Sequence, residues 1–248
     1  MIEVSDLYKS FDQNHVLRGI NLKVRDGKSM AIIGASGQGK SVILRCLLGL
    51  TKPNSGKILL NGIDPNGRQK NIIRSKIGML FQGGALFDSL PIWQNVAFKY
   101  LHGKHKINSL EARRIAVEKL ERVGLKSTFA DNFPSELSGG MQKRVALARA
   151  IATQPEIIFF DEPTTGLDPI MAQVINDLIR ELVVELGVTA ITITHDIQSV
   201  RSIADEVALL HNGVIQWSGP LEQLDKSKNK YLKQFIAGST VGPIETLR

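Results

Sequence analysis

The chain has 248 residues, 43% of them hydrophobic and 22% charged, with one cysteine and a net charge of +7. This is an ordinary globular balance with ample core for one large domain or two modest lobes. The lone Cys46 excludes an internal disulfide, and no apolar run approaches the roughly 20 residues that span a bilayer.

Met1 to Asp6 is not basic and has no long apolar stretch, so it does not read as a signal peptide. Residues 1–28 read as two or three strands, with alternation at Ile2–Val4 and Leu17–Val24 and a turn at Asp26-Gly27. Phe11 lies between them. It is either core or a platform for an adenine ring, and position alone leaves both open.

Met30–Ile33 reads as a buried strand. Gly34 to Ser41 then reads Gly-Ala-Ser-Gly-Gln-Gly-Lys-Ser, a phosphate loop without mismatch. A helix over Ser41–Leu48, stopped by Gly49, completes the strand–loop–helix context. Gly34, Gly37 and Gly39 let the backbone close around an anion, and the helix N-terminus points its amides at phosphates. Lys40 suits the β- and γ-phosphates, and the Ser41 hydroxyl suits Mg²⁺.

A turn over Pro53–Gly56 leads to a strand at Lys57–Leu60, ended by Asn61-Gly62. Ile77–Phe81 is a further strand, with Gln82 directly after it and Gly83-Gly84 following. From about Pro91 to Pro134 the chain reads as a helical insertion. Asn108 with Glu111 marks a helix start, Leu110, Val117, Leu120 and Val123 supply its apolar face, and Gly124 ends it. Leu86, Phe87, Trp93 and Phe98 are its exposed apolar candidates, either core or docking surface.

Leu137-Ser-Gly-Gly140 opens a helix over Met141–Thr153, with Ser138 as cap. Gly139 and Gly140 leave a second anion-binding helix N-terminus, this one without a lysine. Glu156–Phe160 is an apolar strand that ends in Asp161-Glu162. Asp161 suits Mg²⁺, and Glu162 suits polarising a water for attack on the γ-phosphate. Asp168-Pro169 starts a long helix, with Ile170, Val174, Ile175, Leu178, Leu182 and Leu186 inward and Gly187 as stop. Val188–Thr194 is another buried strand, with His195 at its end. Gln82, Glu162 and His195 each follow a buried strand, where ligands of open α/β sheets gather. Glu206–His211 and Val214–Trp217 flank the hairpin turn Asn212-Gly213. A short helix at Tyr231–Ile236 precedes an aperiodic tail from Gly238 to Arg248. The basic residues are scattered, with a small cluster at Lys226, Lys228 and Lys230. They read as solvated surface rather than a nucleic-acid face.

Over nearly its full length the chain resembles the nucleotide-binding subunits of ABC transporters. Leu137 to Gln142 is similar to the signature motif, Ile157–Glu162 to Walker B, Gly166–Asp168 to the D-loop, His195 to the switch histidine and Gln82 to the Q-loop glutamine. Phe11 falls where that family places its adenine-stacking aromatic. The resemblance implies an α/β P-loop NTPase core, a mainly parallel sheet flanked by helices, with an antiparallel β subdomain and a helical subdomain. It divides the chain into a core with its β subdomain over 1–90 and 138–220, a helical subdomain over 91–137, and a C-terminal helix and tail over 221–248. It implies ATP and Mg²⁺ as cofactors. The binding set is Phe11, Gly34, Ser36, Gly37, Gln38, Gly39, Lys40, Ser41, Val42, Ser138, Gly139, Gly140 and Asp168. The catalytic set is Glu162, His195 and Gln82, and the Mg²⁺ ligands are Ser41, Gln82 and Asp161. It also implies head-to-tail pairing of two copies, each Ser138 cap completing the other's phosphate loop, and a membrane permease as partner.

Phe81 to Leu90, Asn95 to Phe98, the run Leu137–Ala150 and Gln234–Gly238 further resemble the ATPase of MCE-type (Mla-type) lipid transporters. That subtype implies an MCE-domain lipid-binding subunit, a small STAS-domain subunit, phospholipid cargo, and a cytoplasmic position on the inner face of the inner membrane. Gly83 departs from it where a second Gln is common, and the tail after Gly238 matches loosely. The competing readings are an importer ATPase for a small solute such as an amino acid, a soluble ABC ATPase acting on DNA or ribosomes, and a nucleotide-binding scaffold without hydrolysis. The gap between the Walker motifs is too short for the coiled coil of DNA-repair relatives. The intact Glu162 argues against the scaffold.

Overall fold

The computed structural model describes residues 1–103 and 106–245. They pack as two compact units, one of 1–74 with the described residues from 189 onward, the other of the described residues between 75 and 188. The last three positions of the tail lie outside the described residues.

The first unit opens with β1 (Ile2–Phe11) and β2 (Asn14–Val24), followed by β3 (Ser29–Ile33), α1 (Lys40–Leu47), β4 (Ser55–Leu60) and α2 (Lys70–Ser75). The second contains β5 (Ile77–Leu80), α3 (Ile92–Val96), α4 (Phe98–His102), α5 (Ser109–Arg122), α6 (Gly139–Ile151), β6 (Ile157–Asp161) and α7 (Pro169–Leu186). The chain then returns to the first unit as β7 (Thr189–Ile193), α8 (Ile197–Ile203), β8 (Glu206–His211), β9 (Val214–Pro220) and α9 (Lys230–Ala237).

In the first unit, β3 is the central strand. All five of its residues are buried, as are all five of β7, the continuous burial expected of strands covered on both faces. β3 runs parallel to β7 and to β8, and β9 closes that edge antiparallel to β8. The turn between β8 and β9 places Asn212 and Gly213 at φ +48° and +74°, the paired left-handed geometry that Asn-Gly favours. α8 and α9 cover one face, where Val200, Ala204 and Leu232 join Ala31, Ile33, Val207 and Leu209 in one buried cluster. A separate antiparallel sheet has the order β2-β1-β4. Its β1 buries Ile2 and Val4, then Leu7, because an irregularity between Val4 and Leu7 shifts the alternation.

In the second unit, β5 and β6 are parallel in the register Ile77↔Ile157 to Leu80↔Phe160. Phe159 and Phe160 are fully buried. The C-terminal half of α6 presses on β5 so closely that a Cβ at Gly78 would lie 2.3 Å from the Ala150 carbonyl oxygen. Within the helical segment, Asn95 is fully buried and organises the loop before it. Its Oδ1 accepts from the Phe87 N–H at 2.7 Å, and its amide donates to the Leu90 carbonyl at 2.9 Å.

Two helices bury the faces their apolar spacing predicts except at the first predicted residue of each: Leu120 and Val123 at the end of α5, and Ile175 and Leu182 of α7, are buried as expected, while Leu110 and Ile170 are not. In α5 the buried residues are Ala112, Ala116, Lys119 and Leu120, while Leu110 is 81% exposed. Leu110 and Ala112 stand about 200° apart around the helix, so burying the small alanines turns Leu110 out. In α7 the buried stripe is Ile175, Ile179, Leu182 and Val183, and Ile170 is exposed. Val174, Leu178 and Leu186 are half-buried. Strand β5 also stops at Leu80, leaving Phe81 exposed.

Candidate nucleotide site

The phosphate loop grows from the buried end of β3. Gly34, Gly37 and Gly39 have φ of +154°, +78° and +99°, a region that side chains with a Cβ rarely enter. At Gly34 space is decisive as well, since a Cβ would meet the Leu210 carbonyl oxygen at 2.3 Å. At Gly37 a Cβ would meet no protein atom within 4 Å, so the backbone angle alone excludes a side chain. Gly39 stands at the N-cap of α1 with no side-chain cap, and no acidic residue occupies the first turn. That helix end therefore presents partial positive charge without a competing anion.

Lys40 is buried, and its ammonium donates to the carbonyls of Gly34 at 2.6 Å and Ala35 at 2.9 Å. The lysine folds over the loop it belongs to, where an incoming phosphate would exchange carbonyl partners for anionic oxygens. Ser36 and Ser41 are exposed and Val42 is half-buried. Gln38 turns outward from the loop, its Oε1 accepting from the Asn212 N–H at 2.6 Å. The β8–β9 turn thus braces the phosphate loop from one side. From another, a Cβ at Gly39 would touch Val16 and Leu17 of β2 at 3.0 and 3.1 Å. The β1–β2 hairpin that packs there carries Phe11, 43% exposed, with the Lys9 ammonium 4.9 Å from its ring centre. The ring is therefore exposed rather than core. His195 lies two residues beyond β7, whose Ile193 pairs with Ile32 of β3, and it is exposed.

The second unit carries the other motif residues. The register Leu80↔Phe160 places Gln82 and Glu162 each two positions past the matched pair, at the carboxyl ends of neighbouring strands. Asp161 is the last residue of β6 and half-buried. Glu162 adopts φ +48°, an uncommon conformation for a residue with a Cβ that clusters at functional sites. Its Oε2 accepts from the Thr165 hydroxyl at 3.1 Å, and its carbonyl accepts from the Lys143 ammonium at 3.4 Å. Burial pulls the Lys143 pKa down against the opposing pull of Glu162 and Asp161.

Ser138 caps α6, its Oγ accepting from the Met141 N–H at 3.4 Å. A Cβ at Gly140 would lie 2.6 Å from the Met171 methyl, and one at Gly139 would lie 3.9 Å from Leu167. The bare start of α6 therefore rests on the first turn of α7. Asp168 caps that helix, with Oδ1 accepting from the Ile170 and Met171 N–H groups at 3.0 Å each. Lys143 and Thr165, at Glu162, and Arg149, at the loop after Gln82, carry contacts here that motif reading misses. Lys143 and Arg149 are visible in the sequence only as cations of α6, beside Arg144.

The ABC transporter family pattern matches residues 17–165. The intermembrane phospholipid transport system ATP-binding protein MlaF of Haemophilus influenzae is 41% identical over 247 residues, covering 98% of this chain and 93% of that protein. The chain belongs to the ABC transporter family. It is an ATPase with the ATP-binding cassette fold, a P-loop NTPase with a mixed sheet, a separate antiparallel sheet and helices. The L-cystine import ATP-binding protein TcyC of Bacillus subtilis is 38% identical, covering 98% of this chain and all of TcyC. Among solved structures, the ATP-binding cassette MJ0796, a post-hydrolysis dimer bound to ADP and Pi, superposes with a TM-score of 0.81 at 32% identity. That match covers 89% of this chain and 99% of MJ0796. The dimeric state in that structure is a property of MJ0796. Among the described residues, no helix is long and apolar enough to cross a membrane.

Proposed function

We propose that this cassette powers phospholipid movement between envelope membranes from the cytoplasmic face of the inner membrane. Its partners are a permease, an MCE-domain lipid-binding subunit and a small STAS-domain subunit. The observation that carries the cargo reading is the 41% identity to a phospholipid-system ATPase, sustained over nearly all of both chains. The 38% identity to TcyC favours a second reading, an amino-acid importer ATPase. Purification from membranes with bound partners separates the two. An MCE protein and its permease are the expected companions, and an amino-acid permease overturns the phospholipid reading.

Two helix N-termini divide the binding work. That of α1 has Lys40 and no cap, and that of α6 has a serine cap, two glycines and no lysine. We assign Gly34, Ser36, Gly37, Gln38, Gly39, Lys40, Ser41 and Val42 to one half of a triphosphate site. Ser138, Gly139 and Gly140 of a second copy form the other half, with Asp168 at the same junction. Phe11 stacks the adenine. Ser41, Gln82 and Asp161 fit Mg²⁺, which when bound would neutralise phosphate charge. Mg²⁺ keeps several waters and phosphate oxygens as ligands and needs only one or two protein carboxylates. Glu162 accepts a proton from the attacking water, His195 donates toward the γ-phosphate, and Gln82 reports on both. The functional subdivision follows the same logic, with the core over 1–90 and 138–220, the helical subdomain over 91–137 and the C-terminal segment over 221–248. Glu162→Gln is the direct test. Turnover should fall by about a hundredfold or more with ATP affinity retained, and normal turnover would remove Glu162 as the base.

A further inference from the structure

The loop after β5 is held in a demanding shape. Gly83, Gly84 and Ala85 have φ of +74°, +80° and +47°, three successive left-handed residues. A left-handed conformation is strained for the alanine, which has a Cβ. Arg149 of α6 supplies the fastening. One guanidinium nitrogen donates to the Gly84 carbonyl at 2.6 Å and another to the Ala85 carbonyl at 2.8 Å. The side chain is half-buried, and its burial pulls the guanidinium pKa down with no opposing carboxylate. The planar fork of an arginine suits two adjacent carbonyls, and a lysine ammonium does not. The loop also lies directly on α6, since a Cβ at Gly84 would stand 3.6 Å from the Ala146 Cβ.

About 16 Å toward the other end of the same helix is the Ser138 cap. The segment before it is tied to α6 by Gln142, whose amide donates to the carbonyls of Pro134 at 2.9 Å and Leu137 at 3.2 Å. α6 is thus one rod with the Gln82 loop fastened near its C-terminus and the signature glycines at its N-terminus.

We propose that Arg149 is a positioning residue that locks the Gln82–Ala85 loop to α6, so that Gln82 and the signature end of the helix move as one body. The kinetic side of this rests on the reading of Gln82 as a site residue. The structural side does not. Arg149→Lys and Arg149→Met are compared with the parent chain. In the nucleotide-free protein, amide hydrogen exchange across residues 83–86 should rise about tenfold in both variants, with β6 exchange unchanged. Unchanged loop exchange overturns the proposal, whatever Gln82 does. In turnover, Arg149→Met should lower kcat about tenfold and leave the KM for ATP unchanged. Added to Gln82→Ala, it should cost no further kcat, because both act through one residue. Additive losses overturn the proposal. A Gln82→Ala chain with parental kcat overturns the reading of Gln82, and the exchange result then decides Arg149 alone.

Discussion

Glu162, proposed above as the base, and Cys46 sit in contrasting environments. Glu162 sits at the mouth of a buried strand in a left-handed backbone conformation, with Thr165 donating to its carboxylate and Lys143 to its carbonyl. The Thr165 contact holds one carboxylate oxygen, an orientation that general-base catalysis by Glu162 would require. Removing the Thr165 donor with Thr165→Val should lower kcat severalfold, about 1 kcal/mol in barrier. Equilibrium ATP binding should be unaffected, and a loss confined to binding would contradict the orienting role. Cys46 is fully buried near the C-terminal end of α1. Burial pushes its thiol up to about 11, against a weaker downward pull from Lys9. At pH 8 its thiolate population should be about a hundredfold below that of an ordinary cysteine. A thiol reagent should label the folded chain at least that much more slowly, and label it fully in denaturant. Rapid labelling of the native chain would show that α1 opens.

At the scale of elements, the helix caps differ in a way that separates stability from function. Asn108 accepts from the Glu111 N–H at 2.9 Å, and Asp168 accepts two N–H bonds at 3.0 Å. Ser138 reaches its partner only at 3.4 Å. Asn108→Ala should therefore cost about 1 kcal/mol of stability in urea unfolding, and Ser138→Ala clearly less. Turnover should rank them oppositely, with Ser138→Ala the more damaging. Equal stability losses would mean that Ser138 is a structural cap. All three caps are legible in the sequence because capping is local, decided by a side chain and an amide two or three positions on. Buried strands such as Ser29–Ile33 are legible for the same reason. The outward turn of the first predicted apolar residue of α5 and of α7 is not. Leu110 and Ile170 point outward because partners distant in sequence decide which stripe is covered. The short helices α2 and α8, at six and seven residues, escape sequence reading because two helical turns or fewer leave little period to read. Arg149 escapes it because its role depends on two carbonyls 64 and 65 positions away.

At the scale of the whole molecule, the motif residues are distributed between two packing units. Phe11, the phosphate loop and His195 belong to the first, while Gln82, Ser138, Asp161, Glu162 and Asp168 belong to the second. Each unit carries an anion-ready helix end, and only one has a lysine. A site made of one P-loop and one signature cap from different copies uses both ends without remainder, and a C2 pair generates two such sites. This is testable by complementation. Lys40→Ala removes the phosphate-loop cation, and Ser138→Arg fills the signature cap, so each homodimer should be inactive at both sites. In a mixed dimer, one site combines both defects. The other combines the intact Lys40 of one copy with the intact Ser138 of its partner. Random mixing makes half the dimers mixed, each with one good site of two, so activity should return to about a quarter of the parental value per site. Mixing is confirmed by differently tagged copies pulled down together. Recovery at that level supports composite sites. Confirmed mixed dimers without recovery would show that each chain builds its site alone, and the Ser138 helix end would revert to an ordinary cap.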